Sequence, residues 1–322
     1  MVSLLKDPRD ADQLRLIVQS TIVLFAAAAL FYVDRFTWWL AVVYWALLGI
    51  VFFDRVNTMI HRFSHRPIFK NELLNGYVTW ILAPLFGQAP TSFQIHHVEM
   101  HHPEDNLPGD LSSTMRFQRD SVVDFLRYFG RFMLIGIPEL ALYHWRHGHT
   151  RSVIRLVAGQ TFLYGLFVGL GWWRVNATLV VLVIPHVVTI FVQLAGNWGQ
   201  HAFVDPDQPE NDYRNSVTII TARHNRRCFS DGYHTFHHRR PTVHHSELRA
   251  EFEQHRQTYG QQDALVFDGI TQIGIWFMLL AQRHDALARH VVELPGAPPR
   301  SHADMVALLR HRVRKIPDWT PT

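Results

Sequence analysis

The sequence predicts an all-α, multi-pass membrane protein with four transmembrane helices and a cytosolic helical cap that holds a dimetal site. Three observations carry this. Four apolar runs, about residues 14–33, 36–53, 153–173 and 177–196, each approach the roughly 20 residues that cross a bilayer core. Short polar breaks, Asp34-Arg35 and Arg174-Val175-Asn176, join them pairwise, which makes two tight hairpins. Nearly all Arg and Lys, and every histidine cluster, then fall on one side, which the positive-inside rule makes cytosolic together with both termini.

The elements follow in order. Residues 1–13 are polar and show no signal-peptide pattern. The first run is interrupted only by Arg15, Gln19, Ser20 and Thr21, and the second carries no charge at all. Asn75 to Phe93 is apolar but short, and Pro84, Gly87 and Pro90 break it; it reads as a re-entrant or interfacial helix. A histidine-rich helix follows, which Pro103 and the Pro108-Gly109-Asp110 turn are expected to close. Residues 119–152 read as amphipathic cytosolic or interfacial helices, with Arg127, Arg131, Arg146 and Arg151 facing headgroups. The late apolar stretch Phe267 to Leu280 reads as a buried or interfacial helix rather than a fifth span. The expected organisation is one membrane domain, 1–285, with its cap at 54–152 and 201–285, and a loosely attached basic tail, 286–322.

Composition removes several classes. Hydrophobic residues make up 48 % of the 322, yet mean hydropathy is near zero, so apolar runs alternate with strongly polar blocks. A net charge of +4 without interleaved basic and aromatic residues points away from nucleic acid. The one cysteine, Cys228, allows neither an internal disulfide nor thiolate zinc or iron–sulfur chemistry. Lysine is confined to Lys6, Lys70 and Lys315 among many arginines, a GC-rich bacterial composition, and the expected location is a bacterial cytoplasmic membrane.

The chemistry lies in the histidines. In Gln94-Ile95-His96-His97-Val98-Glu99-Met100-His101-His102, His97 and His101 stand one turn apart on one helical face, close enough to grip one ion. His102 lies about 100° round the helix, toward a second ion. His61 and His65 repeat the spacing on an extension of the second span, and Asn197 and His201 on an extension of the fourth. His234, His237 and His238 share a helical face after Asp231-Gly232. Any one pair reads equally well as ordinary helix-end residues; four clusters together read as a two-metal site. Imidazoles without thiolates suit iron, zinc, copper or nickel. One zinc needs only three or four ligands, whereas two irons would use all nine imidazoles, with Asn197 binding directly or through water. Haem, which takes single facing histidines, is a poor fit.

These motifs resemble the histidine boxes of the integral-membrane non-haem diiron fatty acid desaturases and alkane hydroxylases. His61-Arg62 with His65-Arg66 is similar to the first box of acyl desaturases, one residue shorter than the acyl-CoA form. Gly232-Tyr233-His234-x2-His237-His238 closely resembles the third. The likeness covers roughly residues 20–245, and implies a mushroom-shaped four-span protein with two irons under a cytosolic cap and an acyl tunnel leading to them. Two departures stand out. Three residues separate His97 from His101, as in the alkane hydroxylases. His244 and His245 extend the third box, as further supports of the ligands or as the start of a surface helix.

Around the ligands, His96, Glu99, Glu104 and Asp105 are candidates to orient imidazole N–H groups. In the fourth span His186, Gln193, Asn197 and His201 form one stripe, a candidate wall of the substrate path, with Pro185 kinking the helix near its deep end. No catalytic residue is expected beyond the metal ligands. An unactivated alkyl chain offers nothing to acid–base or nucleophilic attack, so metal and O2 as co-substrate must supply hydrogen abstraction. Desaturation of a fatty acid or acyl lipid is the first expectation. Hydroxylation of a fatty acid or alkane and oxidative decarboxylation to a terminal alkene are the alternatives, and a membrane zinc lipid hydrolase is the rival of another class. The chain has no dinucleotide glycine motif, ferredoxin cysteines or haem signature. Electrons are therefore expected from a separate ferredoxin- or cytochrome-type donor with its reductase.

Overall fold

The computed structural model describes residues 2–33 and 36–316, so the expected break at Asp34-Arg35 lies outside the described residues. The described residues are mainly helical, and the chain divides into two compact units. One comprises the residues up to Val98 together with Ala141–Ile190, the other Glu99–Leu140 and the residues from Phe191 onward. This division cuts across the expected 1–285 domain: residues 54–98 belong with the apolar helices, and the tail belongs with the second unit.

Among the described residues of the chain, three helical stretches are long and apolar enough to cross a membrane: Pro8–Val33, Trp38–His65 and Thr150–Gln200. Only 28–39 % of each apolar window is buried, the reverse of a soluble core, where such residues would be covered. Trp38, Trp39, Trp172 and Trp173 are exposed, as in the aromatic belts of membrane interfaces. The third stretch is not straight. Arg174 leaves helical geometry (φ −146, ψ 82), at the break expected from the sequence. The rings of Phe167 and His186 come within 5.7 Å, where a straight helix would hold them roughly 28 Å apart. The chain therefore doubles back. Tyr32 fastens this hairpin to the first helix, through Thr178 at 2.9 Å and a ring stacked on Trp173.

Among the described residues, four short π-helical segments interrupt the α-helices: Leu48–Phe53, Val78–Leu82, His97–His101 and Leu179–Val183. The last stands directly before Ile184 and Pro185, whose missing N–H interrupts the regular ladder. The expected short helix forms as Glu72–Tyr77, Val78–Leu82 and Ala83–Leu85. It ends at Gly87, which takes φ +80 and approaches so closely that a Cβ there would lie 2.3 Å from the Pro185 carbonyl oxygen. His186 Nδ1–H donates to the Gly87 carbonyl at 2.7 Å, and Thr189 Oγ1 to that of Phe86 at 2.5 Å.

In the second unit, helices Leu248–Gln261, Gln272–Leu280 and His302–Arg312 pack beside a small parallel pairing of Thr218–Ile219 with Val266–Phe267, a departure from a purely α fold. Gln272–Leu280 has nine residues, too few to cross a bilayer. The loosely attached tail is corrected. Leu309 and Val313 are fully buried in a core with Phe267, Ile275 and Leu287. Arg312, 2 % exposed, pairs with Asp205 and Asp263. The tail's arginines concealed a helix with an apolar face.

Candidate metal centre

The first unit places three imidazoles together. His61 and His65, one turn apart at the end of Trp38–His65, have ring centres 5.5 Å apart. His97 lies 4.4 Å from His61 and 5.1 Å from His65 by the same measure. Their nitrogens fall within 4.8 Å of one another. Phe93, one turn ahead of His97, stacks on its ring at 5.0 Å and meets His61 edge-on. One turn deeper than His61, Asn57 accepts a bond from Gln88 Nε2 at 2.8 Å.

The second unit builds a four-imidazole set from three chain segments: His101, His201, and His234 with His238 one turn apart. Their nitrogens also lie within 4.8 Å of one another, and His201 Nε2 and His234 Nε2 are 3.1 Å apart. Bonds of about 2.0–2.1 Å to one ion put neighbouring imidazole nitrogens about 3 Å apart, so the spacing fits a shared ion. His102 and His237 face each other with Nε2 atoms 3.2 Å apart.

Hydrogen bonds orient two of the four rings, and a carboxylate lies against a third. His101 Nδ1 lies 2.6 Å from Asp110 Oδ2, and His238 Nδ1 lies 2.7 Å from Asp105 Oδ1. His201 Nδ1 meets the backbone and side-chain oxygens of Asn215 at 3.2 and 3.3 Å. With Nδ1–H donating outward, Nε2 of His101 and of His201 is left as the atom able to ligate, the arrangement metal-bound histidines ordinarily show. Burial opposes charge on His101, but Asp110 and then Asp105 outweigh it and hold its pKa above the usual imidazole value. Burial, followed by the charge on His101, pushes His201 down to about 4. The donor set fits a divalent ion of the nitrogen-preferring class.

The expected ligand-type histidines do come together, but their grouping differs. His97 joins His61 and His65, whereas His101 joins His201, His234 and His238, so these two fall in different groups and not in the one that α-helical spacing suggested. The physical reason is the π-helical His97–His101 segment: in an i→i+5 ladder four residues no longer complete a turn. The third cluster divides likewise, His237 facing His102. Pro103 does not close this helix but starts its last turn, which ends where Asp105 and Asn106 take positive φ.

Asn197 commits its amide nitrogen to the Ser112 carbonyl at 3.0 Å and the Tyr128 hydroxyl at 2.9 Å, which leaves its oxygen as the atom able to ligate. Gln193, His96 and Glu99 are half-buried, and His186 is engaged by Gly87. Of the expected supports, Asp105 touches the ring of His238. Asp110 and Asn215 were missed: the first reads as a turn residue after Pro-Gly, the second as loop polarity. The one available signal was a buried-type Asx residue close to each histidine cluster.

No curated protein and no solved structure matches the chain. The fatty acid desaturase family model matches residues 37–269, a stretch that holds every ligand-type residue above and well over half of the 322 residues; the chain belongs to the fatty acid desaturase family, and its general chemistry is the oxidation of fatty acyl chains.

Proposed function

We propose that this protein is a membrane diiron enzyme that desaturates the chain of a fatty acid or acyl lipid. The observation that supports it best is the four-imidazole set His101, His201, His234 and His238, with two of its rings oriented by Asp110 and Asn215 and a third against Asp105. The ligands are His61, His65, His97, His101, His102, His201, His234, His237 and His238, with the Asn197 oxygen binding directly or through water. Two irons bound there would supply hydrogen abstraction from an unactivated chain, with one O2, two electrons and two protons consumed and two waters released per alkene.

The chain's own residues position and exclude. Asp110 and Asn215 hold ligand nitrogens in one tautomer. Gln193, one turn before Asn197 on the same helix, meets the substrate without ligating. The polypeptide crosses the membrane four times, with Arg174-Val175-Asn176 outside and residues 201–285 in the cytosol, in a bacterial cytoplasmic membrane. A ferredoxin- or cytochrome-type donor with its reductase delivers the electrons.

The deciding experiment feeds membranes containing the protein with fatty acids and identifies products by gas chromatography–mass spectrometry, alongside metal analysis. An internal alkene, dependence on O2 and close to two irons per chain are expected. An alcohol would shift the assignment to hydroxylation, and a terminal alkene one carbon shorter to decarboxylation. One zinc with O2-independent lipid hydrolysis would overturn it.

A further inference from the structure

We infer that the C-terminal segment, beyond the stretch matched by the family, is a working part of the metal centre, and that Arg119 is the positioning residue that couples them. This rests on reading the four-imidazole set as a metal site. Arg119 is fully buried. Its hydrogen bonds go to backbone carbonyls of three separate segments: Ala202 at 2.8 Å, Arg312 and Arg314 at 2.6 Å each, and Thr114, Met115 and Phe117 at 3.1–3.3 Å. All five N–H groups of the guanidinium find an acceptor in this cage, a geometry that a lysine ammonium with three donors cannot reproduce.

The cage closes on a ligand. Ala202 follows His201 directly, and the His201 carbonyl itself accepts from Thr114 Oγ1 at 2.7 Å. Thr114 N donates to Asn106 Oδ1, and Asn106 Nδ2 to the same Asn215 oxygen that faces His201 Nδ1. At the other end the C-terminal turn adds bonds of its own, Arg119 N to the Val313 carbonyl and Ile316 N to that of Met115. The backbone and the ring of His201 are thus fixed by one network that the chain completes only at residues 312–316. The family match ends at residue 269, so this strap is built by the part of the chain outside the common body.

The test uses the full-length, iron-loaded protein and its Arg119→Lys and Thr114→Val variants. Iron release to a ferrous chelator is followed in time, and Mössbauer spectra report the two irons separately. Hydrogen–deuterium exchange reports residues 198–204 and 310–316, with and without metal. In the variants one iron should leave at least about 10-fold faster, the size expected for losing an outer support of a ligand, while the other keeps its wild-type rate and spectrum. Both peptides should lose protection together. Wild-type release of both irons, or equal acceleration of both alongside a general loss of protection, overturns the inference. Thr114→Val, nearly isosteric, carries the same expectation should Arg119→Lys not fold. A wild-type protein that binds no metal pair refutes the metal reading instead, and the coupled exchange in metal-free protein then decides whether the strap exists.

Discussion

The two histidine sets are built by different means. His61, His65 and His97 come from helix ends in the apolar unit, and ring packing frames them: Phe93 lies flat on His97 and edge-on to His61. His101, His201, His234 and His238 come from three segments of the polar unit, and charged or amide oxygens lie against three of them. A stacked ring positions loosely and contributes about 0.5–1.5 kcal/mol. A carboxylate bonded to Nδ1 fixes the tautomer, the ring plane and the basicity of the opposite nitrogen. The second set is the more tightly organised, and it is there that single polar substitutions should matter most.

The sharpest break of this contrast is loss of a ligand. In His101→Ala, iron should fall from about two per chain toward one, and turnover by more than the roughly 100-fold expected of an outer partner; metal analysis and product assay check it. Asp110→Asn should weaken the second set's iron about 10–100-fold while leaving the first unchanged, as measured by chelator competition. It should also shift the pH dependence of metal binding to lower pH. Asp110 holds the His101 pKa up, so in the parent protein protons compete for this ligand early as pH falls. Without the carboxylate, burial lowers the pKa and that competition moves to lower pH.

Phe93→Leu tests the other side. Loss of a stacking contact of about 0.5–1.5 kcal/mol corresponds to a roughly 2- to 13-fold faster release of the first set's iron, with the second set unaffected. An effect as large as that of Asp110→Asn would show that ring packing organises a ligand as firmly as a carboxylate does. The smallest effect belongs to His244→Ala. His244 Nδ1 is held by Ser246 Oγ at 2.7 Å within its own turn, so activity should stay within about twofold; loss of iron would make it a further support of the ligands.

Residue spacing was a good guide wherever the physics is local. The i,i+4 pairs His61/His65 and His234/His238 each fall in one set, and the break at Arg174 appears where a charged turn interrupts two apolar runs. It misled at His97 and His101, because a π-helical segment changes the turn without leaving a mark in a four-residue interval. It also misled in the tail, where Arg310, Arg312 and Arg314 suggested a solvated strand of charge. Leu309 and the residue just past the helix end, Val313, are buried, and Arg312 has carboxylates to meet.

By itself the sequence determined the type of site and its medium: histidine clusters with a single cysteine in the chain, on helices whose apolar runs need lipid around them. Ligand type and helix length depend on residue identity and on the constant pitch of a helix, both of which can be read along the chain. Only the tertiary structure decided which imidazoles share a set, that Asp110 and Asn215 aim them, and that residues 312–316 brace His201 through Arg119. Those contacts join residues from 33 to 195 positions apart, or turn a loop side chain toward a ring. Their energies come from burial and from pairing of polar groups in the folded core, which no local period encodes.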